Sequence, residues 1–123
     1  MNILAIDHFQ VSIPNGKLAE ALAFYVDVLG FIRVAKPAEL SQTGAWLTNG
    51  ESNSVALHLG EENDFSPAPR AHPALRVANI APLLAKATAA GCTVRHDCGP
   101  NGYIRASVFD PFNNRIELMQ RLS

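Results

Sequence analysis

Cysteine is scarce in this chain: Cys92 and Cys98 are the two in its 123 residues. Two thiols exclude a disulfide framework and a zinc site built from paired cysteines, and they are expected to stay reduced. Charge of one sign is also lacking. The formal net charge is −1, which leaves no electrostatic footprint for nucleic acid or an anionic membrane. No apolar run approaches the length of a membrane span, and the start lacks the basic and apolar regions of a signal peptide. A cytoplasmic protein is expected. What is present is ordinary for a globular chain: 48% hydrophobic and 17% charged residues, enough to bury a core as one domain over 1–123.

The pattern along the chain repeats once. The first half begins with a strand over Ile6 to Ile13, "IDHFQVSI", and breaks at Pro14-Asn15-Gly16. Apolar positions Leu18, Ala21, Leu22, Tyr25, Val28 and Leu29 then follow helical spacing up to Gly30. Strands are expected at Phe31 to Ala35, Ala45 to Thr48 and Ser54 to Leu59. The second half restarts with "HPALRV" at His72. Asn79 is placed to cap a helix with inward positions Ile80, Leu83, Leu84, Ala87 and Ala90, ended by Gly91. Strands follow at Cys92 to His96, Tyr103 to Phe109 and Arg115 to Gln120. The proline-rich stretch "EENDFSPAPR" separates the halves. The organisation is thus a module over about 1–60, a linker over about 61–71 and a module over about 72–123, each strand-helix-strand-strand-strand.

Four polar residues interrupt apolar strands at matching points of this duplication. His8 lies in the first strand of module one and His72 opens the first strand of module two. His58 lies between Leu57 and Leu59 in the last strand of module one, and Glu117 lies between Ile116 and Leu118 in the last strand of module two. Burying an imidazole or carboxylate without a partner costs several kcal/mol, on the order of 2–7, so each needs a reason. Strand parity puts His8 with Gln10 and Ser12, and His58 with the small Ala56 and Gly60. It puts His72 with Ala74 and Arg76, and Arg105 with Ser107. One side of the sheet therefore reads as apolar, and the other as a cavity lining with separated polar groups and small residues between them, leaving room beside His58. Two histidines and a carboxylate with open positions suit a non-haem iron centre, and equally Mn, Ni, Co or Zn.

The stretches "IDHFQVSI", "ALAFYVDVLGF", "HPALRV", "AAGCTV" and "DPFNNRIELMQ" together resemble the glyoxalase, bleomycin-resistance and extradiol-dioxygenase superfamily, also called vicinal oxygen chelate. The resemblance implies an α+β fold of two βαβββ modules, a curled mixed sheet around a metal cavity, and commonly a homodimer. By position it implies that His8, His72 and Glu117 bind one divalent metal ion, with His58 as a fourth ligand or an acid-base residue. It further implies a metal-dependent lyase, isomerase or extradiol-type dioxygenase acting on a small molecule that chelates through adjacent oxygens. The alternative within the family is a non-catalytic drug- or metabolite-binding protein. Glu117, His58 and Arg105 are the candidate catalytic residues.

Supporting roles follow. Arg105 either holds an anionic substrate oxygen or pairs with a carboxylate; Tyr103 and Trp46 either line the pocket or pack. Arg115 is expected to orient Glu117, while His96 and Arg70 read as exposed. In "DPFNNR", Asn113 stands where the family usually has glycine, and Asn tolerates the positive φ such a turn needs.

Overall fold

A computed structural model describes residues 1–50 and 54–123. The chain runs β1 (Phe9–Pro14), α1 (Leu18–Tyr25), β2 (Ile32–Val34), β3 (Ala45–Thr48), β4 (Ala56–Glu62), β5 (Ala74–Arg76), α2 (Ile80–Ala89), β6 (Val94–Asp97), β7 (Tyr103–Phe109) and β8 (Arg115–Arg121). The strands form two four-stranded mixed sheets, β1-β4-β3-β2 and β5-β8-β7-β6. The repeat read from the pattern is therefore a repeat of topology: each module pairs its first strand parallel to its last, with an antiparallel meander beyond. The two sheets are not closed into one.

Alternation explains which face each sheet buries. Val11 and Ile13 of β1, Leu47 of β3 and Leu57 and Leu59 of β4 lie in the core with Ala21, Phe24 and Tyr25 of α1. In module two, Ile116 and Leu118 of β8 and Ala106 and Val108 of β7 meet Ile80 and Ala87 of α2. The opposite face of each sheet is left without a helix and carries the polar residues.

Several boundaries differ from the expectation, each for a physical reason. His8 and His72 lie just ahead of β1 and β5 rather than inside them. The regular part of α1 stops at Tyr25. Beyond it Asp27 N and Leu29 N reach back five residues, to Leu22 O and Phe24 O, so the last turn widens before Gly30 (φ +87°) reverses the chain. Asn79 makes no side-chain cap; the Gln120 side chain accepts from Ile80 N instead, at 2.9 Å. Ala90, expected to face inward, is exposed. Pro82 sits in the first turn of α2, where its missing N–H costs no helical bond.

The modules are joined by a knot around Asp110, in the turn between β7 and β8. Its Oδ1 accepts from Phe112 N and Asn114 N, and its Oδ2 from Asn114 Nδ2 and the Tyr25 hydroxyl of α1, all at 2.8–2.9 Å. Asn114 Nδ2 also donates to Ser12 O of β1 at 2.8 Å. Asn113 takes φ +68° here, as its place in the turn requires. No helix among the described residues is long and apolar enough to cross a membrane.

Candidate metal and substrate site

The pairing register makes the two halves of the site equivalent. Gln10 pairs with His58 and Ala74 pairs with Glu117, so His8 and His72 each sit two residues ahead of the partner of the other polar intruder. Each histidine therefore folds over the residue at the centre of its own sheet. The two pairs differ in chemistry.

In module one the result is an aromatic stack. His8 lies on His58 with ring centres 4.0 Å apart, and His58 lies on Trp46, its cross-strand partner, at 4.4 Å with planes 5° apart. His8 Nδ1 is 2.8 Å from the Asp7 carboxylate. Partial burial and then the neighbouring His8 push the His58 imidazole below the usual histidine range. The room expected beside His58 at Gly60 is taken by the Gln10 side chain, which a Cβ at Gly60 would strike.

Module two holds a charged cluster instead. Glu117, 5% exposed, is contacted by His72 Nε2 at 3.1 Å, Arg105 Nη1 at 3.3 Å and Arg115 Nη2 at 3.4 Å. Arg115 is braced by Nε donating to the buried Ser107 hydroxyl at 2.8 Å, and Arg105 by Nε donating to Cys98 O at 3.1 Å. His72 Nδ1 is 2.8 Å from Arg70 O. A carbonyl only accepts, so Nδ1 carries hydrogen and Nε2 of a neutral ring offers its lone pair toward Glu117 Oε1. A proton shared by the pair, or a metal ion between them, accounts for this contact.

The spacing of this pair is compatible with two ligand atoms on one ion. Bonds of about 2.1 Å at a right angle put two ligand atoms about 3.0 Å apart, close to the observed His72–Glu117 spacing. A backbone carbonyl on the remote ring N–H is also the usual support of a metal-binding histidine. The four candidate ligands do not all meet, however. Among the described residues no three His, Cys, Asp or Glu side chains converge on a point. The chain brings together His8 with His58, and His72 with Glu117, in separate modules.

A family model for the glyoxalase/bleomycin resistance protein/dioxygenase superfamily matches residues 5–118. The chain belongs to this superfamily. A putative glyoxalase family protein from Bacillus anthracis shares 39% identity with this superfamily member, covers 98% of both chains and superposes with a TM-score of 0.88. An antibiotic-binding protein from a Streptomyces species shares 24% identity over 98% of both chains, with a TM-score of 0.70. A genomically encoded fosfomycin resistance protein from Listeria monocytogenes, at 11% identity over 98% of this chain and 94% of its own, shares the fold with a TM-score of 0.74. No curated protein matches the chain.

The remaining candidate residues of this superfamily member fall as follows. Arg105 does have a partner carboxylate, and it is Glu117 itself. Arg115 touches Glu117, as expected. Tyr103 accepts from Arg76 Nη2 at 3.3 Å, and Trp46 ends the aromatic stack. His96 and Arg70 are exposed, though the Arg70 carbonyl fixes His72. A cavity of about 440 Å³ opens between the modules, lined by His8, Phe9, Phe31, Leu75, Arg76 and Leu83 among others. Residues not singled out from the sequence include Asp110, Tyr25 and Asn114. The run "DPFNN" signals a turn, but its hydrogen bonds to β1 and α1 span 102 and 85 residues.

Proposed function

We propose that the chain is a divalent-metal-dependent small-molecule enzyme of the glyoxalase/dioxygenase type, working as a homodimer. The observation that carries this reading is His72, oriented by the Arg70 carbonyl so that Nε2 stands 3.1 Å from a buried glutamate oxygen. His72 and Glu117 would hold one Fe, Mn, Ni, Co or Zn ion, with His8 and His58 of a second copy completing its shell. The exposed segment ahead of β1 supports a second copy: Ile3, Leu4 and Ile6 are 77%, 94% and 83% exposed, an apolar run that water does not favour.

When bound, the ion supplies Lewis-acid polarisation of two adjacent substrate oxygens. The chain's own residues do the rest. Arg105 and Arg115 fix the Glu117 carboxylate from contacts at the long end of hydrogen-bonding distance, leaving it lone-pair capacity. His58 would act as a ligand or as an acid-base residue. Tyr103, Arg105 and Trp46 would contact the substrate, in lyase, isomerase or extradiol-type dioxygenase chemistry.

The test is elemental analysis and sedimentation of untagged protein. A dimer with about one equivalent of metal per chain is expected, with metal lost in Glu117→Ala, His72→Ala and His8→Ala. A protein that neither carries metal nor takes it up on reconstitution sinks this reading. A second reading, a drug- or metabolite-binding protein, is favoured by the Trp46–His58–His8 stack, a ring platform whose His8 end lines the cavity. It predicts stoichiometric binding of a flat ligand that chelators leave unchanged.

A further inference from the structure

The helix-free face of the β5-β8-β7-β6 sheet concentrates the cations of the chain. Cross-strand partners share a face, so the register places Arg76 beside Met119, Arg105 between Met119 and Asp97, Arg121 beside Tyr103, Arg115 beside Phe109, and Arg95 beside Ser107. Five of the seven arginines of the sequence therefore lie on one face of one sheet, and none of its three lysines does. The same face carries two carboxylates, Glu117 and Asp97. Its formal charge is 5 − 2 = +3 in a chain of net −1, so the remainder of the molecule is −4.

Like charges crowded on one sheet face repel and destabilise it, so such a face needs a compensating role. The carboxylates do not neutralise it. Glu117 is shared by Arg105 and Arg115, and Asp97 reaches only Arg115, at 3.7 Å. Among the described residues no carboxylate lies within ion-pair reach of Arg76, Arg95 or Arg121. Arg76 and Arg121 flank Tyr103 at one end of the face: Arg76 donates to its hydroxyl, and Arg121 is its cross-strand partner. Arg76 also lines the cavity between the modules. The preference for arginine over lysine matters, since a guanidinium fork matches the paired oxygens of a carboxylate or phosphate.

We infer that the substrate is an anion, and that Arg76 and Arg121 grip its carboxylate or phosphate oxygens on the face that also holds His72 and Glu117. This rests on the reading of that face as a small-molecule site, but not on a metal being bound. Charge outside the immediate contact adds attraction: the +3 face draws a small anion toward it from solution, an effect that salt weakens.

Calorimetric titration of the full chain with inorganic phosphate and with malonate, as purified and after chelator treatment, tests the inference. Saturable binding of one or both below about 10 mM is expected. Binding of phosphate alone assigns a phosphorylated substrate, and binding of malonate alone a carboxylate. Arg76→Gln with Arg121→Gln should weaken binding by about tenfold or more, since each removes a charge-assisted hydrogen bond. Arg33→Gln with Lys86→Gln removes the same charge from other surfaces and should leave it within about twofold. Glu117→Gln separates the two readings: it abolishes metal uptake yet tightens anion binding, because Arg105 and Arg115 are released. Absence of saturable binding of either anion overturns the inference, as does an equal loss in the Arg33/Lys86 control. Metal retained with no anion binding would refute this inference alone; anion binding without metal would refute the metalloenzyme alone.

Discussion

Tyr25→Phe removes a single buried hydroxyl and tests the knot that joins the modules. Tyr25 is fully buried, and its O–H donates to Asp110 Oδ2 at 2.8 Å. A hydrogen bond to a charged acceptor contributes about 1.5–3 kcal/mol. Asp110 keeps three other donors, so the variant does not orphan it, and the ring itself stays packed. The expected loss is about 2 kcal/mol, read from urea unfolding as a lower midpoint at unchanged slope. For a chain of this size that corresponds to a melting temperature lower by roughly 6–10 °C.

The same bond has a pH signature. Burial, then the Asp110 charge, push the Tyr25 hydroxyl far above the usual tyrosine range. A group whose folded value is raised contributes stability that is full below its unfolded value, about 10, and is lost as pH rises beyond it. Wild-type stability should fall above about pH 10, and the part due to Tyr25 should vanish in the phenylalanine variant. A Tyr25→Phe protein within about 0.5 kcal/mol of wild type, with an unchanged alkaline slope, would refute the reasoning.

Gly44→Ala should destabilise by more than about 2 kcal/mol, seen as a lower denaturant midpoint, because Gly44 has φ +70° and a Cβ there would strike the Leu59 carbonyl. Glu61 accepts from Gly16 N at 2.7 Å and Gly44 N at 2.9 Å, which hold its carboxyl below the usual range. Its folded value is depressed, so its contribution is present above the unfolded value of about 4.3 and is lost as pH falls. Acid titration of stability in Glu61→Gln should lack that part, worth less than about 1 kcal/mol because solvent screens this half-exposed carboxylate. Asn113→Ala should cost about 1 kcal/mol and Asn113→Gly almost nothing, because φ is +68°; equal losses in calorimetry would show that the backbone angle is not the cause.

The parts legible in the sequence are those set by local periodicity. β3 and β7 begin and end where alternation placed them, and the duplicated order of elements emerged as two sheets of identical topology. His72 and Glu117 were legible as the counterparts of His8 and His58 in the duplication; that His72 folds onto Glu117 and His8 onto His58 follows from the pairing register. What was hidden depends on contacts between distant residues. Nothing near Asn79 indicates that Gln120 will cap α2 in its place. The absence of a side chain at Gly60 reads as open space until Gln10 is seen to fill it. Arg76, Arg95 and Arg121 are unremarkable one at a time; they become one surface only through the register of β5, β8, β7 and β6.

The shared topology has a practical consequence. Two copies of one module carry opposite surface chemistry on equivalent scaffolds: flat rings on the first, forked cations on the second. Trp46 occupies the place that Ser107 holds in the other sheet, each being the cross-strand neighbour of the central polar residue. The places are equivalent but not interchangeable, because Ser107 is fully buried and accepts from Arg115, whereas Trp46 is half-buried in its ring stack. Ring preference and charge preference are then two separate dials, and a designer could turn either while leaving the other at its native setting.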